Sequence, residues 1–198
     1  MERHELSNIS WTKVFDLIGE PNKSKCWSFY RENHEAIDKA RGSKTKHQAW
    51  DGGLIDHICE CVGIAEEMYV SLNKIRPLPF ALSDAALVLF WHDMEKPWKH
   101  QFGEEIGGEK INNKVVDKVM FAYDRFTKGA ANPKFLFVLA QIKKYGIDLT
   151  ESQLNAITYV EGEKNDYSQY ERIQMPLAAF CNCCDLISAR VWFNYPKE

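Results

Sequence analysis

Leu87-Val88-Leu89-Phe90-Trp91-His92-Asp93-Met94-Glu95-Lys96 is an apolar run that stops abruptly at an imidazole beside a carboxylate. Nothing in the packing of Leu, Val and Phe requires such an ending. A carboxylate taken out of water disfavours its ionised form unless a cation or several hydrogen bonds compensate it. His92 and Asp93 at the inner end of a buried helix therefore suggest a metal ion. The rest of the chain must then supply its other ligands.

Around this stretch the apolar spacing is helical. Pro77 and Pro79 mark a turn, Ser83 is placed to cap a helix over Asp84 to Trp91, and Pro97 is expected to close it. Before it, a helix from Gly52 to about Asn73 carries Leu54, Ile58, Cys61, Val62, Ala65, Tyr69 and Leu72 as one stripe, and His57 lies inside that stripe. Earlier still, Ser10 caps a helix with Trp11, Val14, Phe15 and Ile18 at helical spacing, ended by Gly19-Glu20-Pro21. Ser24 to Arg41 is a second, stopped by Gly42, and the basic loop Arg41-Gly42-Ser43-Lys44-Thr45-Lys46-His47 follows.

Beyond Pro97, the glycines at 103, 107 and 108 make His100 to Glu109 a flexible loop of the kind that often shapes substrate entry. A helix is expected over Ile111 to Phe126, and another from the Asn132-Pro133 start to Gly146. Thr150-Glu151-Ser152-Gln153 is a capping box for the next, which ends at Gly162. After a polar stretch, a last helix from Met175 to Phe193 puts Leu177, Cys181, Cys184, Asp185, Ser188 and Trp192 on one face. Asp185 then sits in a buried stripe and needs a partner. No convincing strand alternation appears, so the expected fold class is all-α.

A chain of 198 residues is long enough to bury a real core and is read as one domain, with 1–46 as an N-terminal helical packing region and 47–193 as the core that carries the candidate ligands. The 45% apolar and 13% aromatic content is that of a globular protein. No apolar run reaches the roughly 20 residues that span a bilayer, so no membrane partner is expected. The N-terminus lacks the basic-then-apolar order of a secretory signal, which leads to a cytoplasmic expectation. The six cysteines fall as Cys26, Cys59/Cys61 and Cys181/Cys183/Cys184, which is neither a disulfide framework nor zinc-finger spacing. A net charge of −3 disfavours broad nucleic-acid binding, although the basic loop is suited to a phosphate. A homo-oligomer is open.

Three helices thus each place ligand-type residues where burial is expected: His57, then His92 with Asp93, then Asp185. Each alone has an ordinary reading, a satisfied core histidine for His57 or an arginine pair for Asp185. Together, two nitrogens and two carboxylates are what a hard or borderline divalent ion accepts.

These residues resemble the H…HD…D signature of the HD-domain metal-dependent phosphohydrolase superfamily. Gly52-Gly53-Leu54-Ile55-Asp56-His57 is similar to the glycine-glycine-leucine-x-x-histidine opening of many members, and His92-Asp93-Met94-Glu95-Lys96-Pro97 to their HD-x-x-K segment. Met175 to Ala179, running into Cys184-Asp185-Leu186-Ile187-Ser188-Ala189-Arg190, resembles their final helix. The resemblance implies an HD-domain-like helical bundle with a central metal site. It also implies hydrolysis of a phosphate ester or anhydride of a nucleotide or similar small phosphorylated compound. Two-metal members have further histidines before the last aspartate. Here Val160-Glu161-Gly162 stands in that place, so one divalent ion per chain is expected, its identity open among Mn²⁺, Ni²⁺, Co²⁺, Mg²⁺, Fe²⁺ and Zn²⁺.

On this reading the metal ligands are His57, His92, Asp93 and Asp185. Asp93 also orients or deprotonates the attacking water, and Lys96, one turn beyond His92, neutralises phosphate charge. His47 and Lys46 are assigned to substrate binding, the first because members of the family often carry a phosphate-contacting histidine near this place. Glu161 is a further candidate contact. Trp50 and Trp98 are suited to packing or to stacking on a base, and His100, Glu104 and Glu105 to reaching the site from their loop. Cys61 and Cys181 lie one turn from His57 and Asp185, a placement open to zinc but more typical of buried cysteines that fill space. The alternatives are a phosphodiesterase or 3'-5' exonuclease on single-stranded nucleic acid, and a non-catalytic nucleotide-binding module.

Overall fold

The computed structural model describes residues 9–101, 133–163 and 166–192. Among them the chain is all-helical, with no strand: α1 (Trp11–Leu17), α2 (Asn22–Ile37), α3 (Gly53–Ile75), α4 (Leu82–Trp91), α5 (Lys96–Gln101), α6 (Pro133–Lys144), α7 (Glu151–Tyr159) and α8 (Pro176–Arg190). The helix expected over Ile111 to Phe126, and the loop residues Glu104 and Glu105, lie outside the described residues. No helix among the described residues is long and apolar enough to cross a membrane.

At the centre is α4, buried from Ala85 to Trp91, with α1, α3, α7 and α8 packed around it. Because α4 is apolar on all sides, water is excluded from its whole circumference, and it can be stable only inside a bundle. On one side its Phe90 and Trp91 meet rings from the first two helices. Phe29 of α2 lies 4.6 Å from Trp91, centroid to centroid, and Phe15 of α1 lies 5.3 Å from Phe90. On another side Leu54, Ile58, Cys61, Val62 and Ala65 of α3 face the buried Leu177, Ala178, Cys181 and Cys184 of α8 within one core. Full burial of a Leu, Ile or Phe side chain is worth about 1.5–3 kcal/mol, so this core supplies most of the force that holds the site together.

Several helix ends differ from the sequence expectation, each for a local reason. Helix α2 stops at Ile37, with Asp38 as C-cap, and not at Gly42. Gly42 has another use: its N–H donates to the Gln48 carbonyl at 2.9 Å, and a Cβ there would come within 2.9 Å of Gln48 Cβ. Ser83 does not cap α4, which starts at Leu82. Asp84 in the first turn accepts from the Ala81 N–H at 2.9 Å instead. Pro97 does not end a helix but sits second in α5, where its missing N–H costs nothing. The capping box at Thr150 forms as expected, with Gln153 N–H to Thr150 Oγ1 at 3.2 Å and Thr150 N–H to Gln153 Oε1 at 2.8 Å. Helix α7 ends at Tyr159, before Gly162, and α8 at Arg190, which leaves Trp192 43% exposed and outside the buried stripe.

Candidate metal centre

Each candidate ligand is delivered by a different element. His57 is in the second turn of α3, fully buried among the apolar stripe. His92 is the C-cap of α4, its N–H bonded to the Val88 carbonyl at 3.0 Å. The chain then turns at once, with Met94 N–H to the Trp91 carbonyl at 3.2 Å and Lys96 N–H to the Asp93 carbonyl at 3.0 Å. Met94 is fully buried and pins this turn, which leaves Asp93 beside His92 at the end of the helix. Asp185 comes from α8, the most water-accessible of the four, with a side chain 16% exposed.

The four side chains converge. His57 Nε2 is 3.2 Å from Asp185 Oδ1 and 3.4 Å from Asp93 Oδ2, and His92 Nε2 is 3.3 Å from Asp93 Oδ2 and 3.8 Å from Asp185 Oδ1. The two Nε2 atoms are 3.3 Å apart. Ligand atoms about 2.1 Å from a shared ion stand about 3.0 Å apart at right angles and about 3.4 Å apart in a tetrahedron. The observed separations centre on that range.

The other ring nitrogens decide which way the lone pairs point. His92 Nδ1 is 2.7 Å from the Leu89 carbonyl, an acceptor only, so Nδ1 carries a proton and Nε2 is the nitrogen turned to the cluster, where a metal ion or a second proton can take its lone pair. His57 Nδ1 is 2.9 Å from Ser188 Oγ, whose own hydrogen goes to Glu60 Oε2 at 2.5 Å. Ser188 therefore accepts from His57, and the His57 Nε2 is the nitrogen that faces the cluster, 3.2 Å from Asp185 Oδ1. Two imidazole nitrogens and two carboxylate oxygens turned to one point need positive charge between them, either protons or a metal ion. The donor set fits a divalent metal ion, with imidazole and carboxylate as its ligands.

The charges around the site show the same demand for a cation. Burial by itself would lower the His92 pKa, but the Asp93 charge and hydrogen bond, with Asp185 behind them, raise it to about 9. Burial would raise Asp93, yet Lys96 and then His92 hold it well below the ordinary carboxylate range. Asp185 is likewise lowered, its burial outweighed by the His57 hydrogen bond and by His92. Lys96 contacts Asp93 Oδ2 directly, and although burial pulls its pKa down, Asp93 lifts it above the usual lysine value. In the absence of a metal, protons and the Lys96 ammonium are the positive charges available to these carboxylates.

Among the other candidates, His47 lies against His57, the ring centroids 4.8 Å apart, and its Nε2 is buried without a hydrogen-bond partner. Burial, followed by the His57 and Lys96 charges, lowers its pKa to about 4, so it stands there neutral. Lys46 and Glu161 are exposed, the first on the His47 loop and the second in the turn after α7. Neither belongs to the convergent set, which consists of His57, Cys61, His92 and Asp185 within 4.8 Å of one another, with Asp93 Oδ2 beside both imidazoles. Cys61 Sγ is 3.7 Å from both ring nitrogens of His57, so it lies against the ring and not in front of Nε2. Burial and then Asp185 push its thiol well up, which keeps it protonated. Cys181 is fully buried, with its thiol also raised by burial. Trp98 packs against Phe137 at 5.0 Å and Phe29 at 6.2 Å, and Trp50 donates its indole N–H to Asp56 at 2.7 Å.

Three polar residues around His57 were not assigned roles from sequence: Glu60, Ser188 and Gln48, all buried. A signal was present. Glu60 is three residues after His57 and Ser188 three after Asp185, so each lies one turn along the same face as a ligand.

No protein-family model matches the chain, and neither the curated proteins nor the solved structures give a significant match.

Proposed function

We propose that the chain is a metal-dependent phosphohydrolase that cleaves a phosphate ester or anhydride of a nucleotide or similar small phosphorylated compound. One observation carries the reading: two imidazole Nε2 atoms and two carboxylates meet at the end of α4 inside a bundle, each nitrogen 3.2–3.8 Å from an oxygen of both carboxylates. The resemblance of the flanking residues to HD-domain phosphohydrolases supplies the reaction class.

His57, His92, Asp93 and Asp185 would hold the ion. When bound, such an ion acts as a Lewis acid towards a phosphoryl oxygen and makes water acidic enough to be a nucleophile near neutral pH. Asp93, kept ionised by Lys96, is the group available to take up the proton that the attacking water loses. Lys96 brings a fixed positive charge to the same pocket, where low dielectric strengthens its hold on phosphate oxygens. Neutral His47, with a buried ring nitrogen that has no partner, offers the substrate a hydrogen bond and not a charge. The basic residues Lys44 and Lys46 on the same loop are exposed and suited to drawing anions towards it. All six cysteines are free thiols, which fits a reducing, intracellular setting.

The test is phosphate release from a panel of nucleotides, a generic phosphodiester and single-stranded DNA, with each divalent ion in turn. Turnover of one substrate class that is lost in both Asp93→Asn and Asp185→Asn supports the reading. Equal turnover in both variants overturns it, and preference for the DNA redirects it to an exonuclease.

A further inference from the structure

His57 is held from behind by a buried chain of hydrogen bonds through Ser188, Glu60 and Gln48, in which the Gln48 amide also lies 3.4 Å from Ser188 Oγ. Gln48 Nε2 donates to Glu60 Oε2 at 2.6 Å, so this oxygen is an acceptor. Ser188 Oγ reaches the same oxygen at 2.5 Å, a short charge-assisted bond in which the hydroxyl must be the donor. The serine hydrogen being spent, its oxygen takes the proton of His57 Nδ1 at 2.9 Å. Glu60, Ser188 and Gln48 are 6%, 0% and 3% exposed, so water does not compete for any of these bonds.

The position of Gln48 is itself forced. Its φ of 40° is in the left-handed region, which a glutamine seldom adopts. Its carbonyl lies so close to Gly53 that a Cβ there would approach it to 2.0 Å, and it accepts the Gly42 N–H at 2.9 Å. Glycines on both sides thus clear the space in which this strained residue sits with its amide against Glu60. His47, the neighbour of Gln48, lies on the His57 ring.

We propose that Glu60, Ser188 and Gln48 are positioning residues that hold a proton on His57 Nδ1, with Nε2 turned to the candidate ion site, and that Gln48 ties this lock to the His47 loop. Its consequence for metal binding rests on the function proposed above; the tautomer does not. Loss of a group that orients a metal-binding histidine costs 10–100-fold in metal affinity in general.

The experiment uses the full chain with two readouts. Two-bond ¹⁵N–¹H correlations on metal-free protein report which nitrogen of His57 carries the proton, and titration with Mn²⁺ or Zn²⁺ against a chromophoric chelator gives the ion affinity. The wild type is expected to carry a proton on His57 Nδ1, with and without Zn²⁺. Ser188→Ala is expected to give a tautomer mixture and ion binding about 10–100-fold weaker, at unchanged helical content. Glu60→Gln keeps an acceptor for the serine and is expected to lose less, which a merely structural role would not predict. Gln48→Gly relieves the strained φ and removes only the side chain, so it should weaken ion binding severalfold without lowering the melting temperature. Wild-type tautomer and affinity in both Ser188→Ala and Glu60→Gln overturn the proposal. If Ser188→Ala does not fold, Glu60→Gln and Gln48→Gly decide on the same readouts. If the wild type binds no ion, the metal reading falls and the positioning role with it, while the tautomer readout still shows whether the hydrogen-bond chain exists.

Discussion

The C-terminal end of α4 faces two different chemistries. Towards α1 and α2, Phe90 and Trp91 enter a cluster of rings that includes Trp11, Phe15 and Phe29, with spacings of 4.6–6.2 Å and no ionised group among them. One residue later, His92 and Asp93 enter a cluster with His57, Asp185 and Lys96 in which imidazoles, carboxylates and an ammonium face one another. The ring side gains free energy from each contact and tolerates small shifts. The polar side offsets the desolvation of each charge only through its partners, so removing one partner leaves the others buried and uncompensated. Stability and chemistry are thereby separated between neighbouring residues at the end of a single helix, and the separation can be attacked from either side.

The largest effect is expected on the ring side. Phe29→Ala should destabilise the protein by about 3–5 kcal/mol, because it empties a fully buried position against Trp91, Phe90 and Tyr145. Chemical denaturation checks this, and ion affinity measured well below the melting temperature should stay near the wild-type value. On the polar side, Asp185→Asn should do the reverse. Loss of an orienting group alone costs 10–100-fold, so loss of a ligand should weaken ion binding by more than about a hundredfold. Its melting temperature without metal should fall by less than that of Phe29→Ala, since His57 and His92 lose one carboxylate partner while Asp93 loses a like charge.

Proton competition comes next. The metal-free His92 pKa of about 9 means that below that pH an ion must displace a proton from this ring. Affinity is therefore expected to weaken as pH falls from 9 towards 6, by up to about tenfold per unit for each proton displaced. Titrations at several pH values check the slope, and flat affinity would show that His92 is not a ligand. The smallest effect is remote from both regions. Thr150→Ala should cost about 1 kcal/mol through its capping box, with no change in ion affinity.

How much of this was legible beforehand follows from the range of the interactions involved. His57, His92 with Asp93, and Asp185 were visible because each is a polar residue inside an apolar repeat, and the repeat is local. The Thr150 box was visible for the same reason. The α4 cap was not: Ser83 and Asp84 are both good capping residues, and the choice depends on the chain entering at Ala81. Pro97 read as a stop because a proline after an apolar helix usually is one, whereas here the helix had already ended at Trp91 and the proline opens the next. Gly42 read as a helix end, although its purpose is to let Gln48 approach, a contact set by tertiary packing. Glu60 and Ser188 are 128 residues apart, and the role of either is defined only by the other. Lys46 and Glu161 stand out only by charge and by position in a resembling motif, and both lie at the surface.

Equilibrium dialysis of metal-free protein against Mn²⁺, Co²⁺ and Zn²⁺ tests the central claim most directly. The account predicts about one ion per chain, bound by the wild type and lost when His57 and His92 are both changed to Ala. No bound ion between pH 7 and 9, or an ion that remains after both histidines are removed, would contradict it.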